Sequence, residues 1–169
     1  MKQIIFLIIA TSVVLNIQGC KKDDKPSQIG ADIMTAKIDG IEWKAQHCWS
    51  CVEGGKGLRT VYLPEEGKFN VLGQMVKNDI NITMTIDMSG VKDVGTYELG
   101  ANTGSQNYAK VFNDKLDRLY YTTNPASGSV TITKLSISEK IISGTFELTA
   151  SDLSSNGINV THGVFDLKF

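Results

Sequence analysis

The sequence predicts an all-β domain, and three observations lead to this prediction. Apolar and polar residues alternate with a period of two, turn pairs such as Asp39-Gly40 and Asn78-Asp79 separate the alternating segments, and no segment after residue 19 keeps a helical period over three turns. About ten short strands of this kind would form an antiparallel meander, which buries one face by curling into a β-sandwich or an open barrel.

The clearest strand is Ile80–Met88, in which apolar and polar residues alternate without interruption, as in a half-buried antiparallel strand. Ile142–Thr149 and the last residues, 165–169, alternate in the same way. Between Val130 and Ile137 the apolar residues change parity, which predicts a β-bulge near Thr133–Lys134. Shorter strands are predicted at 33–38, 41–43, 59–63, 69–76, 96–99, 108–112 and 119–123.

A short sequence repeat, which we call the echo, occurs in two of these segments. Gly95–Leu99 and Gly144–Leu148 both read Gly-Thr-aromatic-Glu-Leu. We interpret them as two equivalent hairpins, in which the aromatic residue and the leucine face the core and the glycine permits a bend.

The N-terminal residues predict an export signal. Lys2 precedes an apolar run, Ile4–Ile17, that as a helix would reach only about 21 Å, short of the hydrocarbon core of about 30 Å. Residues 1–19 are therefore interpreted as a signal peptide, residues 20–30 as a solvated, charged tether and residues 31–169 as a single β domain.

The end of the apolar run resembles the lipobox of bacterial lipoproteins. Ile17-Gln18-Gly19-Cys20 matches its pattern in order: an aliphatic residue, a position that accepts any residue type, a small residue and a cysteine. The resemblance implies that Cys20 is acylated and becomes the first residue, which would anchor the protein to the membrane. Cys20–Asp24 is also similar to the export signal that moves some Bacteroidetes lipoproteins to the outer leaflet. A plain signal peptide with a chance cysteine stays open as the alternative.

Three later segments carry a family resemblance: Thr131–Leu135, Ile141–Ala150 and Gly163–Leu167. Together with the leader they resemble the closing strands of small uncharacterised Bacteroidetes lipoproteins (domain-of-unknown-function family 6252). The resemblance implies an outer-membrane lipoprotein, lipid-anchored and either periplasmic or surface-exposed. It carries no catalytic residue over to this chain.

Cys48 and Cys51 are the chemical candidates that remain once Cys20 is assigned to lipid. An even pair of cysteines outside the cytoplasm predicts a disulfide. A thiol-redox site, free thiols, and a metal site completed by His47 and His162 are the alternatives. We expect no metal and no cofactor.

Exposed aromatic residues are the candidates for binding. Trp49 lies in a polar loop between the two cysteines, and Tyr120 and Tyr121 point to opposite faces of one strand, so that one of them faces outward. Such rings would stack on a glycan or contact a protein partner.

The composition narrows the function class. With 17 basic and 18 acidic residues the chain has a net charge of −1, which argues against nucleic acid as a partner. The sequence therefore predicts a membrane-anchored binding or scaffolding domain. The alternative is an extracytoplasmic enzyme, either thiol-redox through Cys48 and Cys51 or a carboxylate-dependent hydrolase.

Overall fold

A computed structural model of the chain describes residues 25–46, 55, 57–101, 107–123 and 125–169. Of the described residues 63% lie in strands, and their only helical element is a single 3-10 turn, Asp114–Leu116. The all-β prediction is confirmed.

Eleven strands follow one another along the described part of the chain. They are β1 (Ile33–Ile38), β2 (Ile41–Lys44), β3 (Leu58–Leu63), β4 (Lys68–Lys77), β5 (Ile80–Met88), β6 (Gly95–Leu99), β7 (Tyr108–Asn113), β8 (Arg118–Tyr121), β9 (Gly128–Ser136), β10 (Ile141–Ser151) and β11 (Gly157–Lys168). Their positions agree closely with the predicted strands.

All strand pairs are antiparallel, and the sheet curls into a half-barrel. Its strand order is β2-β1-β11-β10-β8-β7-β5-β4-β3, while β9 pairs with β10 and β6 pairs with β9. The two ends of this order approach each other, because the Gln46 backbone N–H donates to the Gln74 carbonyl on β4 at 2.9 Å. The sheet is therefore barrel-like and open, rather than a sandwich.

The predicted bulge is confirmed in β9. Ser143 of β10 pairs with Lys134 and the next residue, Gly144, pairs with Ile132, so that Thr133 is left without a partner position. This extra residue explains why the apolar parity of the strand changes there.

The echo has a different cause from the one expected. Gly95 of β6 and Gly144 of β10 both pair with Ile132 of β9, and Leu99 and Leu148 both pair with Gly128. The two segments flank the same strand in the same register. The expectation of two hairpins was wrong for the first copy, because β7 and β8 separate β6 from β9 in the chain.

The interior of the half-barrel is filled differently at its two ends. At the end where β4 begins and β11 finishes, which we call the closed end, aromatic rings fill the space: Phe69 and Phe165 lie 5.5 Å apart, and Tyr62 meets Phe169 edge-on at 4.8 Å. At the opposite end, which we call the open end, four connections meet, at 39–40, 78–79, 114–117 and 152–156.

Candidate functional site: the cavity at the open end

An apolar cavity of about 580 Å³ opens between the connections of the open end. We call it the mouth cavity. Its apolar lining comes from seven strands and the 3-10 turn: Ile38, Ile41, Trp43, Met75, Ile80, Ile82, Val111, Leu116, Tyr120 and Ile158. Its size lies within the range of about 300–1,000 Å³ that small-ligand sites occupy.

Trp43 forms one wall of the mouth cavity and is almost completely buried. Its Nε1–H donates to the carbonyl of Ile82 at 3.2 Å, which satisfies the only polar group of the indole. The ring reaches this place because residue 73 on the facing strand is glycine: a Cβ there would lie 2.6 Å from Cη2 of Trp43. The wall is therefore fixed by packing and by a hydrogen bond.

Strand parity decides which polar residues surround the opening. On β4 the inward series Phe69, Val71, Gly73 and Met75 is buried, and the next inward position at the rim is Lys77. By the same alternation the inward Val111 of β7 is followed by Asn113. On β8 the inward Tyr120 is preceded at the rim by Arg118. Three strands thus end their apolar inner face in a polar or cationic side chain.

The acidic residues at the opening are bound to other parts of the chain. Asp39 accepts from the Asn159 backbone N–H at 2.8 Å. Glu42 pairs with Lys37 at 3.5 Å, and both side chains stand on the outward parity of their strands. The inward-facing charges of the rim are therefore the cations Lys77 and Arg118.

Two apolar side chains at the opening are exposed to solvent. Ile41 is 69% exposed and Leu116 is 54% exposed. Leu116 belongs to the 3-10 turn, which Asn113 caps by accepting from the Leu116 N–H at 3.3 Å. Exposed apolar residues that line a cavity are typical of a site that an apolar ligand completes.

A buried carboxylate at the closed end is bonded by the chain itself, in contrast to the exposed residues of the open end. Asp166 of β11 has no exposed surface, and it accepts from the Ser143 hydroxyl at 2.7 Å and from the backbone N–H of Gly30 at 2.9 Å and of Ile29 at 3.1 Å. The Ser27 hydroxyl also donates to it. We call this arrangement the latch, because it holds residues 27–31 against the last strand.

The latch explains why Asp166 is ionised although it is buried. Burial raises the pKa of this carboxyl, but the hydrogen bonds from Ser27, Ser143 and the Gly30 and Ile29 backbone outweigh burial and lower its pKa to about 2. Both oxygens are occupied by donors of the chain itself. Asp166 is therefore a structural group and lies outside the mouth cavity.

Some of the site residues predicted from the sequence lie in the described part of the chain and others do not. Tyr120 is buried in the wall of the mouth cavity, whereas Tyr121 faces outward and is half-buried, as the alternation predicted. His162 is exposed at an irregular position of β11 with φ of 54°. Cys20, His47, Cys48, Trp49 and Cys51 lie outside the described residues.

Among the described residues no group of three or more His, Cys, Asp and Glu side chains is placed to hold a metal ion. That part of the chain also has no helix with the length and apolar character needed to span a bilayer.

Sequence reasoning missed the cluster of Lys77, Arg118 and Leu116 around the cavity. A signal for it was nevertheless present. In an antiparallel meander every second connection along the chain lies at the same end of the sheet. The turns Asp39-Gly40 and Asn78-Asp79 were therefore candidates to lie close together. The curvature that brings them around one cavity is a tertiary property.

Comparison with known proteins gives one match. A family model described as Domain of unknown function (DUF6252) matches residues 32–166, which include nearly all of the described strands. Neither the curated proteins nor the solved structures contain a match.

Proposed function

The chain belongs to the family described as Domain of unknown function (DUF6252), a description that assigns no activity, and we propose that it is a lipid-anchored binding protein that takes an apolar ligand into the mouth cavity. The observation that carries the proposal is the contrast between an apolar lining and an unfilled volume of about 580 Å³. Interiors of this kind are normally packed to the density of organic crystals.

The binding role is favoured over the hydrolase alternative by the chemistry of the lining. Apart from Asp39 and Glu42, whose carboxylates are engaged with Asn159 and Lys37, the lining holds no acidic side chain. A hydrolase would need two carboxylates aimed at one bond. An apolar pocket with a few polar groups at its rim is instead the usual form of a binding site.

The membrane anchor belongs to the same proposal and rests on the sequence. The lipobox-like Ile17-Gln18-Gly19-Cys20 supports acylation of Cys20 and an outer-membrane location of the Bacteroidetes type, periplasmic or surface-exposed, with Cys48 and Cys51 joined as a disulfide in that oxidising setting. Mass spectrometry of the protein purified from membranes tests this part. An N-terminal peptide that still contains Met1, or a Cys20 without acyl mass, would refute the anchor.

The cavity part is tested with a series of straight-chain alcohols from octan-1-ol to tetradecan-1-ol. We use the full chain with Cys20→Ser, which carries no acyl chain, and with Trp49→Phe, so that Trp43 is the only tryptophan and reports binding by its fluorescence. Each added methylene should strengthen binding by about 0.8 kcal/mol, about fourfold in affinity, until the cavity is filled.

A matched pair of variants separates the cavity from the outer surface. Ile82→Phe adds bulk to the lining, and Val76→Phe adds it to the outer face of the neighbouring strand. We expect Ile82→Phe to weaken binding of dodecan-1-ol at least tenfold and Val76→Phe to leave it unchanged, with both variants showing cooperative thermal unfolding. Absence of any alcohol binding, or equal weakening by both variants, would overturn the proposal.

A further inference from the structure

We propose that the ligand of the mouth cavity is an anionic amphiphile, an alkyl chain whose acidic head group binds Lys77 at the rim. This inference rests on the proposed function and specifies the ligand class. Its basis is the charge arrangement around the opening rather than the apolar lining.

Lys77 is placed to meet a ligand that fills the cavity. It takes the next inward-facing position after Met75 on β4, so its stem leaves the strand on the same side as the buried lining. The residue is exposed. A lysine in this position can lay its apolar stem along a bound chain while its charge stays at the water interface.

Lys77 also differs from the other charged residues of the lining in having no partner. Asp39 is engaged with Asn159, Glu42 with Lys37, and Arg118 with Asp152 at 3.8 Å. Within the described part of the chain, the Lys77 side chain makes no hydrogen bond and no ion pair. The rim therefore offers one inward cation that the fold itself does not use.

The second inward cation, Arg118, strengthens this selection. It stands at the rim directly beyond the inward Tyr120 of β8. Asp152, its partner, also accepts from the Ser154 and Asn156 backbone N–H groups at 2.9 and 2.8 Å, so this carboxylate is held in the β10–β11 connection, and it does not line the mouth cavity. An anionic head group would meet the unpaired charge of Lys77 and the paired Arg118, whereas Lys77 would repel a cationic head group.

The test compares ligands of one chain length and three head groups. Dodecanoate, dodecan-1-ol and dodecyltrimethylammonium are titrated at pH 8 into the full chain with Cys20→Ser and Trp49→Phe. We expect dodecanoate to bind about tenfold more tightly than dodecan-1-ol, as a charge-assisted hydrogen bond provides, and the cationic ligand to bind most weakly. Dodecyl phosphate, run in parallel, shows whether a carboxylate or a phosphate is preferred.

Charge variants assign the preference to Lys77. Lys77→Gln should abolish the preference for dodecanoate over dodecan-1-ol, and Lys77→Glu should reverse it in favour of the cationic ligand. Lys44→Glu is the matched control, because Lys44 is an exposed lysine on the outward parity of β2 beside Trp43, and it should leave the preference intact.

The outcomes distinguish this inference from the proposed function. If alcohols bind with the expected chain-length dependence but dodecanoate gains nothing, or if Lys77→Gln keeps the preference, the anionic head group is wrong and the apolar cavity site stands. If no ligand of either kind binds, both proposals fall.

Discussion

The closed end and the open end of the half-barrel use the same sheet in opposite ways. At the closed end Phe69, Phe165 and Phe146 fill the interior, and the buried carboxylate of Asp166 has a donor for each of its oxygens. At the open end the inward residues are mainly aliphatic, about 580 Å³ is unfilled, and Lys77 has no partner among the described residues.

This difference separates the residues that stabilise the fold from those that are available to a ligand. Full packing and satisfied polar groups contribute to the free energy of unfolding. Unfilled apolar volume and an unpaired rim cation contribute nothing to stability, and the proposed binding site uses both. Substitutions at the two ends should therefore affect different measurements.

The largest expected effect on stability comes from the latch. Asp166→Asn replaces one carboxylate oxygen by an NH2 group. The donors to that oxygen, either Ile29 and Ala31 with Ser27 or Gly30 with Ser143, then face a donor instead of an acceptor. Because each such loss costs about 1–3 kcal/mol, we expect the free energy of unfolding to fall by about 3 kcal/mol or more. Urea unfolding followed by circular dichroism measures this change.

Asp32→Asn is the control at the same end. Asp32 is an exposed carboxylate whose Oδ1 accepts from the Lys168 N–H at 3.0 Å, and its amide variant keeps an acceptor there. We expect a loss of less than about 1 kcal/mol. A loss in Asp166→Asn no larger than this would show that the latch does not stabilise the fold.

The pH dependence of the free energy of unfolding provides a second test of the latch. The pKa of Asp166 is lowered from its ordinary value of 3.8 to about 2 in the folded chain. A carboxyl whose folded pKa is depressed contributes stability that is complete above its unfolded pKa and is lost as the pH falls through the folded value. The stability difference between the wild type and Asp166→Asn should therefore be constant above about pH 4 and shrink towards pH 2.

The smallest expected effect on stability is at the open end. Ile41→Ser removes a side chain that is 69% exposed, so the free energy of unfolding should change by no more than about 0.5 kcal/mol. Binding of dodecan-1-ol should nevertheless weaken severalfold, because Ile41 lines the mouth cavity. The alcohol titration and urea unfolding together check this prediction.

Ile137→Ser provides the comparison at the closed end. Ile137 is 52% exposed in the β9–β10 connection, on the side of the molecule away from the cavity. It should change neither stability nor alcohol binding. If Ile41→Ser destabilised the fold by several kcal/mol and left binding unchanged, the open end would be part of the structural core and the contrast between the ends would fail.

Local pattern was sufficient to predict the strands. Ile80–Met88 and Ile33–Ile38 lie where the alternation placed them, and the bulge at Thr133 follows from the change of parity. These features depend on neighbours along one strand, and period-two alternation records them directly.

Features that depend on distant segments were not predicted. The alternation at the end of the chain indicated an outward Asp166, yet this side chain is fully buried because residues 27–31 cover it and donate hydrogen bonds to it. The shared register of Gly95 and Gly144 on β9 likewise depends on pairing across the sheet. The mouth cavity depends on curvature, which no single segment encodes.

The latch also determines how an anchored copy of this domain would sit at a bilayer. Residues 27–31 are held where β1 begins and β11 finishes, whereas the cavity opens where β1 ends and β11 begins. With acyl chains on Cys20, only the six residues Lys21–Pro26 would separate lipid from the held segment, a span of at most about 20 Å. Under that geometry the open end would face the water, and a ligand of the proposed site would arrive from the aqueous compartment rather than from the supporting leaflet.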